Sequence, residues 1–137
     1  MNDWPALKQS VEGFAKVIDI KQKERLADET VAYLAELAEH DIMPGDLVSV
    51  SPGAWQDRER AKRIALQLSN SAALLNVLLE QRSLPISLMV SAFGVPVGFV
   101  ERYADYITAL TVLANGDYPA LRDYLNPWRW TVGYGKD

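Results

Sequence analysis

Apolar positions recur along most of the chain at the spacing of a helix face. From about Trp4 to Ile20, the residues Leu7, Val11, Phe14, Ala15, Val17 and Ile18 follow that spacing, although Gly13 weakens the helix they predict. A second segment is more regular. Leu26, Thr30, Tyr33, Leu34, Leu37 and Ala38 form one stripe, and Glu24, Asp28, Glu29, Glu36 and Glu39 are left to face water. Asp41-Ile42-Met43-Pro44-Gly45 ends this helix, because Pro and Gly together break the pattern.

Asp46 is placed to cap a short turn through Leu47-Val48-Ser49-Val50, and Ser51-Pro52-Gly53 interrupts the chain again. From about Trp55 the apolar pattern resumes with Ala61, Ile64, Ala65 and Leu68, up to a joint at Asn70-Ser71. The next run (Ala72, Leu74, Leu75, Val77, Leu78, Leu79) is hydrophobic around its circumference, which predicts a central position. Pro85 opens a helix that runs to about Ala92 and stops at Phe93-Gly94-Val95-Pro96. A long helix is predicted from Pro96 to about Ala114, with Val100, Tyr103, Ile107, Leu110, Thr111 and Leu113 at helical intervals and Asn115-Gly116 as its stop. A short helix, Pro119 to Leu125, precedes an aromatic tail of Trp128, Trp130 and Tyr134. There is no repeat and no strand pattern. The expectation is an all-α, compact multi-helix domain covering 1–137.

Composition adds to this picture. With 49% hydrophobic and 23% charged residues in 137, the chain can bury a core of its own. It has no cysteine, which excludes a disulfide framework and thiolate chemistry. The first residues lack the cationic start and apolar run of a secretory signal, and no apolar stretch approaches the ~20 residues of a membrane span. The expected location is the cytoplasm, with no membrane insertion. Net charge is −4, unevenly spread: residues 1–50 hold five Lys/Arg against ten Asp/Glu, and residues 51–106 hold six against five. The basic excess usual in nucleic-acid domains is missing overall.

Pro85–Ala92, the turn Phe93-Gly94-Val95 and the helix from Pro96 have the local form of a helix-turn-helix. Gly94 suits the positive φ of such a turn, and Met89, Val90, Val95 and Val100 are placed to pack the two helices together. The same pattern also occurs in bundles that never touch DNA.

An acidic helix leads into Asp46-Leu47-Val48, and Ser51-Pro52 with Asp57-Arg58-Glu59-Arg60 opens a segment that continues through Leu84-Pro85-Ile86 and Gly94-Val95. Glu101-Arg102-Tyr103 and Tyr106-Ile107-Thr108-Ala109-Leu110 follow, and Asn115-Gly116-Asp117-Tyr118-Pro119-Ala120-Leu121-Arg122-Asp123-Tyr124-Leu125 closes it. In this order and spacing, from about residue 26 to 125, the chain resembles the C-terminal domain of sigma-I-type RNA polymerase sigma factors, and the closing stretch is the most specific piece. On this reading residues 1–45 form acidic N-terminal helices, 46–125 the sigma-I-like helix-turn-helix region, and 126–137 the tail. The resemblance implies recognition of promoter DNA, work with RNA polymerase and control by a membrane-bound anti-sigma protein. The chain departs from the pattern twice. Its 137 residues leave no room for the N-terminal sigma region that grips polymerase, so it reads as a domain-sized piece or a stand-alone relative. Where the sigma-I pattern is rich in Arg and Lys, this reading helix offers Pro96, Val97, Gly98, Glu101, Arg102 and Asp105.

Candidate DNA contacts are therefore Arg58, Arg60, Lys62 and Arg63, which can rest on phosphates or form a solvated face with Asp57 and Glu59. Arg102 is the candidate base contact, or else an ion-pair partner for nearby carboxylates. Val97 and Phe99 at the tip of the reading helix, with Trp128 and Trp130, are candidate contacts to a protein partner; alternatively Phe99 turns inward and the tail folds over the core. His40, one turn after Glu36, reads as a residue at a helix end rather than a metal ligand. No serine has a histidine or lysine arrangement that would make it a nucleophile, and no glycine loop cradles phosphate. No enzyme activity and no cofactor are expected. Two functions stay open: a promoter-binding helix-turn-helix with weakened reading residues, and a protein-interaction module (for an anti-sigma protein, polymerase or itself) that has lost DNA.

Overall fold

The computed structural model describes residues 4–128, and these form an all-α fold. Trp130 and Tyr134 of the tail lie outside the described residues, as do the side chains before Lys16. The first helix, α1, runs unbroken over Trp4–Glu39. The two separate N-terminal segments expected from the sequence are thus one helix, about 54 Å long. Between Ile20 and Leu26 the residues Lys21, Gln22, Lys23, Glu24 and Arg25 are good helix formers, and a Lys23–Asp19 pair at 3.2 Å spans one turn there.

α1 ends without a glycine. Asp41 takes a left-handed φ of 61°, and the N–H groups of His40 and Ile42 both donate to the Leu37 carbonyl. This turn carries Ile42 into the core. Pro44 then occupies the first turn of α2 (Pro44–Val50), and the Asp46 carboxylate accepts the Met43 N–H at 3.0 Å. The chain continues through α3 (Trp55–Ser69), α4 (Ala72–Gln81), α5 (Ile86–Phe93), α6 (Val97–Arg102), α7 (Ala104–Asn115) and α8 (Pro119–Leu125).

The centre of the core is α7, not the α4 run that its hydrophobicity suggested. Seven consecutive α7 residues, Ile107 to Leu113, are buried, whereas α4 buries only Leu74 and Leu78. The reason lies in the partner helix. α3 presents Ala61, Ile64, Ala65 and Leu68 on one face, and the two alanines let its backbone lie close along α7. Thr111 is tolerated inside because its hydroxyl donates back to the Ile107 carbonyl at 2.8 Å.

α1, α2 and α8 complete the packing. The buried Tyr33 donates its hydroxyl to the Ala109 carbonyl at 2.7 Å, and its ring meets Tyr118 edge-on, with centroids 5.4 Å apart. Glu29 and Glu36 were expected to face water, but they are half-buried acceptors. Glu29 takes the Leu121 N–H at 2.9 Å, near the start of α8, and Glu36 takes the Tyr118 hydroxyl. Gly116 leaves no room for a side chain, since a Cβ would stand 2.3 Å from the Tyr118 ring. His40 stands directly after the last residue of α1, the helix-end position expected of it, and is buried there with neither ring nitrogen hydrogen-bonded.

Candidate nucleic-acid interface

The expected helix-turn-helix is present as α5, a turn and α6. Gly94 closes α5 at φ 66°, its N–H donating to the Val90 carbonyl at 3.0 Å. Met89, Val95 and Val100 are buried between the helices, and Val90 is packed partly against the same core. The second helix, however, does not run straight from Pro96 to Ala114. It turns at Tyr103 (φ −109°, ψ 25°), which separates a six-residue α6 from α7. The bend lets α6 pack on α5 while α7 stays against α3. Hydrogen bonds from Tyr103 N–H to the Phe99 carbonyl and from Ile107 N–H to the Tyr103 carbonyl continue on either side, so no composition signal marks it.

The outer surface of this motif is small and uncharged. Ser87, Leu88, Ser91, Ala92, Pro96, Val97 and Gly98 are exposed, and no charged residue occurs from Ser83 to Val100. Glu101 and Arg102 are exposed at the end of α6, and Asp105 is half-buried just beyond. Of the two apolar tip residues, Val97 faces solvent and Phe99 turns inward against the core.

The cations of α3 divide into two kinds. Arg58 donates to the carbonyls of Gly53 at 2.8 Å and Pro52 at 3.2 Å, which pins the loop before α3. Lys62 pairs with the buried Glu59 at 2.6 Å, both side chains being largely enclosed. Arg60 and Arg63 are exposed. Arg60 reaches the helix-turn-helix, its guanidinium lying 5.1 Å from the centre of the Phe99 ring. Phe99 in turn meets Tyr103 edge-on at 5.0 Å, and Arg102 lies 5.3 Å from the centre of the Tyr103 ring. One aromatic pair thus carries two arginines, one from α3 and one from α6. Nearby on α7, burial raises the pKa of the Tyr106 phenol; Arg58 opposes that shift and Glu59 adds to it.

Trp128 is not offered to a partner. Its indole N–H donates to the Lys62 carbonyl at 2.9 Å, and the ring is buried. The tail is therefore folded back at least to this residue, because a Trp on the α3 surface removes a large apolar area from water. Arg122, assigned no role of its own by the sequence pattern, donates to the carbonyls of Leu113 at 3.2 Å and Gly116 at 2.6 Å. It satisfies carbonyls at the end of α7 and so fixes how α8 leaves it. Its position in the segment from Asn115 to Leu125 was the available signal.

No helix among the described residues is long and apolar enough to cross a membrane. No family model matches the chain. The chain is similar to the RNA polymerase sigma factor SigI7 of Acetivibrio thermocellus, at 27% identity over 124 residues that cover 88% of this chain and 52% of the relative. It is also similar to the RNA polymerase sigma factor SigI of Bacillus subtilis, at 26% identity over 104 residues, 76% of this chain and 41% of the relative. The chain spans about half the length of the curated relatives it matches.

Proposed function

We propose, from this likeness to sigma-I factors, that the chain is a transcription-related domain of the sigma-I C-terminal kind, which binds promoter DNA in the cytoplasm through α5 and α6. The observation that carries the reading is a helix-turn-helix of the right order and spacing, bordered by exposed arginines on two helices. Its action is non-covalent. Arg60 and Arg63 meet phosphates and set orientation, and Arg102 makes the one charged contact to a base edge. Val97 and Gly98 supply a small apolar tip able to approach a thymine methyl group. Two or three cations limit affinity, and the log of the binding constant should fall against log salt with a slope of only about −2 to −3.

A second reading is favoured by one specific observation, the absence of charge from Ser83 to Val100 with Leu88 and Val97 exposed on the motif. Such a surface suits a protein partner, polymerase or an anti-sigma protein, better than a phosphate backbone. Fluorescence anisotropy of labelled duplexes at low and physiological salt separates the two. A sigma-I-type upstream promoter element should bind more tightly than a scrambled duplex. Equal affinity for the two would sink specific reading, and no binding even at low salt would leave the protein-partner function.

A further inference from the structure

Four aliphatic side chains of α1 point away from the body of the protein. Val17, Ile20, Val31 and Leu34 are 50%, 55%, 69% and 37% exposed. They are not scattered. Together with Glu24, Ala27 and Ala38, which are also exposed, they occupy positions 17, 20, 24, 27, 31, 34 and 38. Steps of three and four in strict alternation define the seam of a coiled coil. Tyr33 and Leu37, with the half-buried Leu26, form the different face that packs on the rest of the fold. The seam runs about 33 Å along the helix. At Leu34 it borders an apolar cleft between α1 and α8, also lined by Leu121 and by the exposed Tyr124 and Leu125.

We propose that α1 is a self-association element, in which a second copy of this chain lays its own α1 antiparallel along this seam. In the matching register Val17 faces Leu34 of the second copy, Ile20 faces Val31 and Glu24 faces Ala27, each layer occurring twice by symmetry. The apolar layers at the two ends each combine one residue before Glu24 with one after Ala27, so each copy covers the cleft edge of the other.

Charge selects both the partner and the direction. Lys21 and Asp28 flank the seam at equivalent heptad positions, which face each other across an antiparallel pair, so the two copies form two Lys–Asp pairs. A parallel pair would set Lys16 against Lys21 and Glu24 against Glu24. In the antiparallel pair Glu24 meets only the small Ala27, which leaves its carboxylate a path to water. The proposal stands independently of DNA binding.

Sedimentation equilibrium on the whole chain should show a dimer. Val31→Glu should weaken it by more than about 30-fold while leaving helicity unchanged, since Val31 is exposed in the single chain. Lys21→Asp should weaken the dimer, and Lys21→Asp combined with Asp28→Lys should restore it. The chain has no cysteine, so engineered thiols report direction. Ile20→Cys/Val31→Cys should give a disulfide-linked dimer under mild oxidation. Ile20→Cys alone should not, because the two thiols would lie about 16 Å apart. A monomer up to about 200 µM would overturn the proposal and leave the seam to a different protein. Efficient cross-linking of Ile20→Cys alone would overturn the antiparallel arrangement.

Discussion

The guanidinium of Arg60 on α3 lies 5.1 Å from the ring centre of Phe99 on α6, joining the basic face of one helix to the tip of the other. Phe99 also meets Tyr103, which carries Arg102, so two of the three arginines proposed to touch DNA are held by one aromatic pair. The arrangement keeps both side chains near the motif without spending either on an ion pair. Each cation–π contact is worth only about 0.5–1 kcal/mol at an exposed site, so both guanidiniums remain free to exchange a ring for a phosphate.

Arg60→Ala should therefore weaken binding to promoter and scrambled duplexes alike and reduce the salt slope by about 1. Arg102→Ala should instead narrow the difference between the two duplexes, by about 1–3 kcal/mol if its contact is bidentate. Anisotropy titrations at several salt concentrations separate the two outcomes. An Arg102→Ala protein with an unchanged promoter preference would remove Arg102 from sequence reading.

Arg58 and Lys62 should behave differently, despite standing in the same basic cluster. Arg58→Ala frees the carbonyls of Pro52 and Gly53 and should destabilise the fold by about 1–2 kcal/mol. Lys62→Ala withdraws a close cationic partner from the buried Glu59 and should lose about 3 kcal/mol. Urea denaturation measures both losses. Their DNA affinity, taken where the variants are fully folded, should stay within about twofold of the parent.

How much of this was legible in the sequence depended on whether each contact left a signal in residue type or spacing. The α3–α4 joint, the α5–Gly94–α6 turn and the buried set Met89, Val95 and Val100 follow from spacing and turn chemistry alone. The fates of Arg58 and Lys62 were less accessible. Arg58 bonds backbone carbonyls of a loop, which any residues could supply, and Glu59 is concealed by its position in a run of charges. Glu29 and Glu36 looked solvated because their acceptor roles depend on Leu121 and Tyr118, more than eighty residues away. The bend at Tyr103 keeps helical hydrogen bonds on both sides and contains neither Gly nor Pro. Hydrophobicity alone also misplaced the centre of the core, because α4 is richer in leucine while α7 is enclosed by more neighbours.

Trp128→Ala should show that the start of the tail belongs to the core. The substitution removes a buried ring together with its bond to the Lys62 carbonyl. The expected loss is about 3–5 kcal/mol, with Trp128→Phe losing less because it keeps most of the apolar area. Chemical denaturation monitored by far-UV circular dichroism reports the difference. A stability loss below about 1 kcal/mol for the alanine variant would contradict burial of this residue.

Alkaline pH should unfold the protein through Tyr33 and Tyr118. Both phenols are held well above their ordinary value of 10.0. For Tyr33 burial is the main cause, followed by the charges that Tyr118 and Glu36 would oppose to its ionisation. For Tyr118 burial again leads, followed by the hydrogen bond it donates to Glu36, which ionisation would abolish. In the unfolded chain both tyrosines ionise near pH 10, while in the folded chain they stay protonated. The unfolded state then binds fewer protons, so stability falls as pH rises above about 10 and is unaffected by these groups below it. Each such group contributes a slope of up to about 1.4 kcal/mol per pH unit in that window. Tyr33→Phe should lose about 1 kcal/mol at pH 7, from the bond to the Ala109 carbonyl, and show a shallower decline above pH 10. Urea titrations between about pH 7 and 11.5 test the slope. A Tyr33→Phe curve as steep as that of the parent would assign the alkaline transition to other groups.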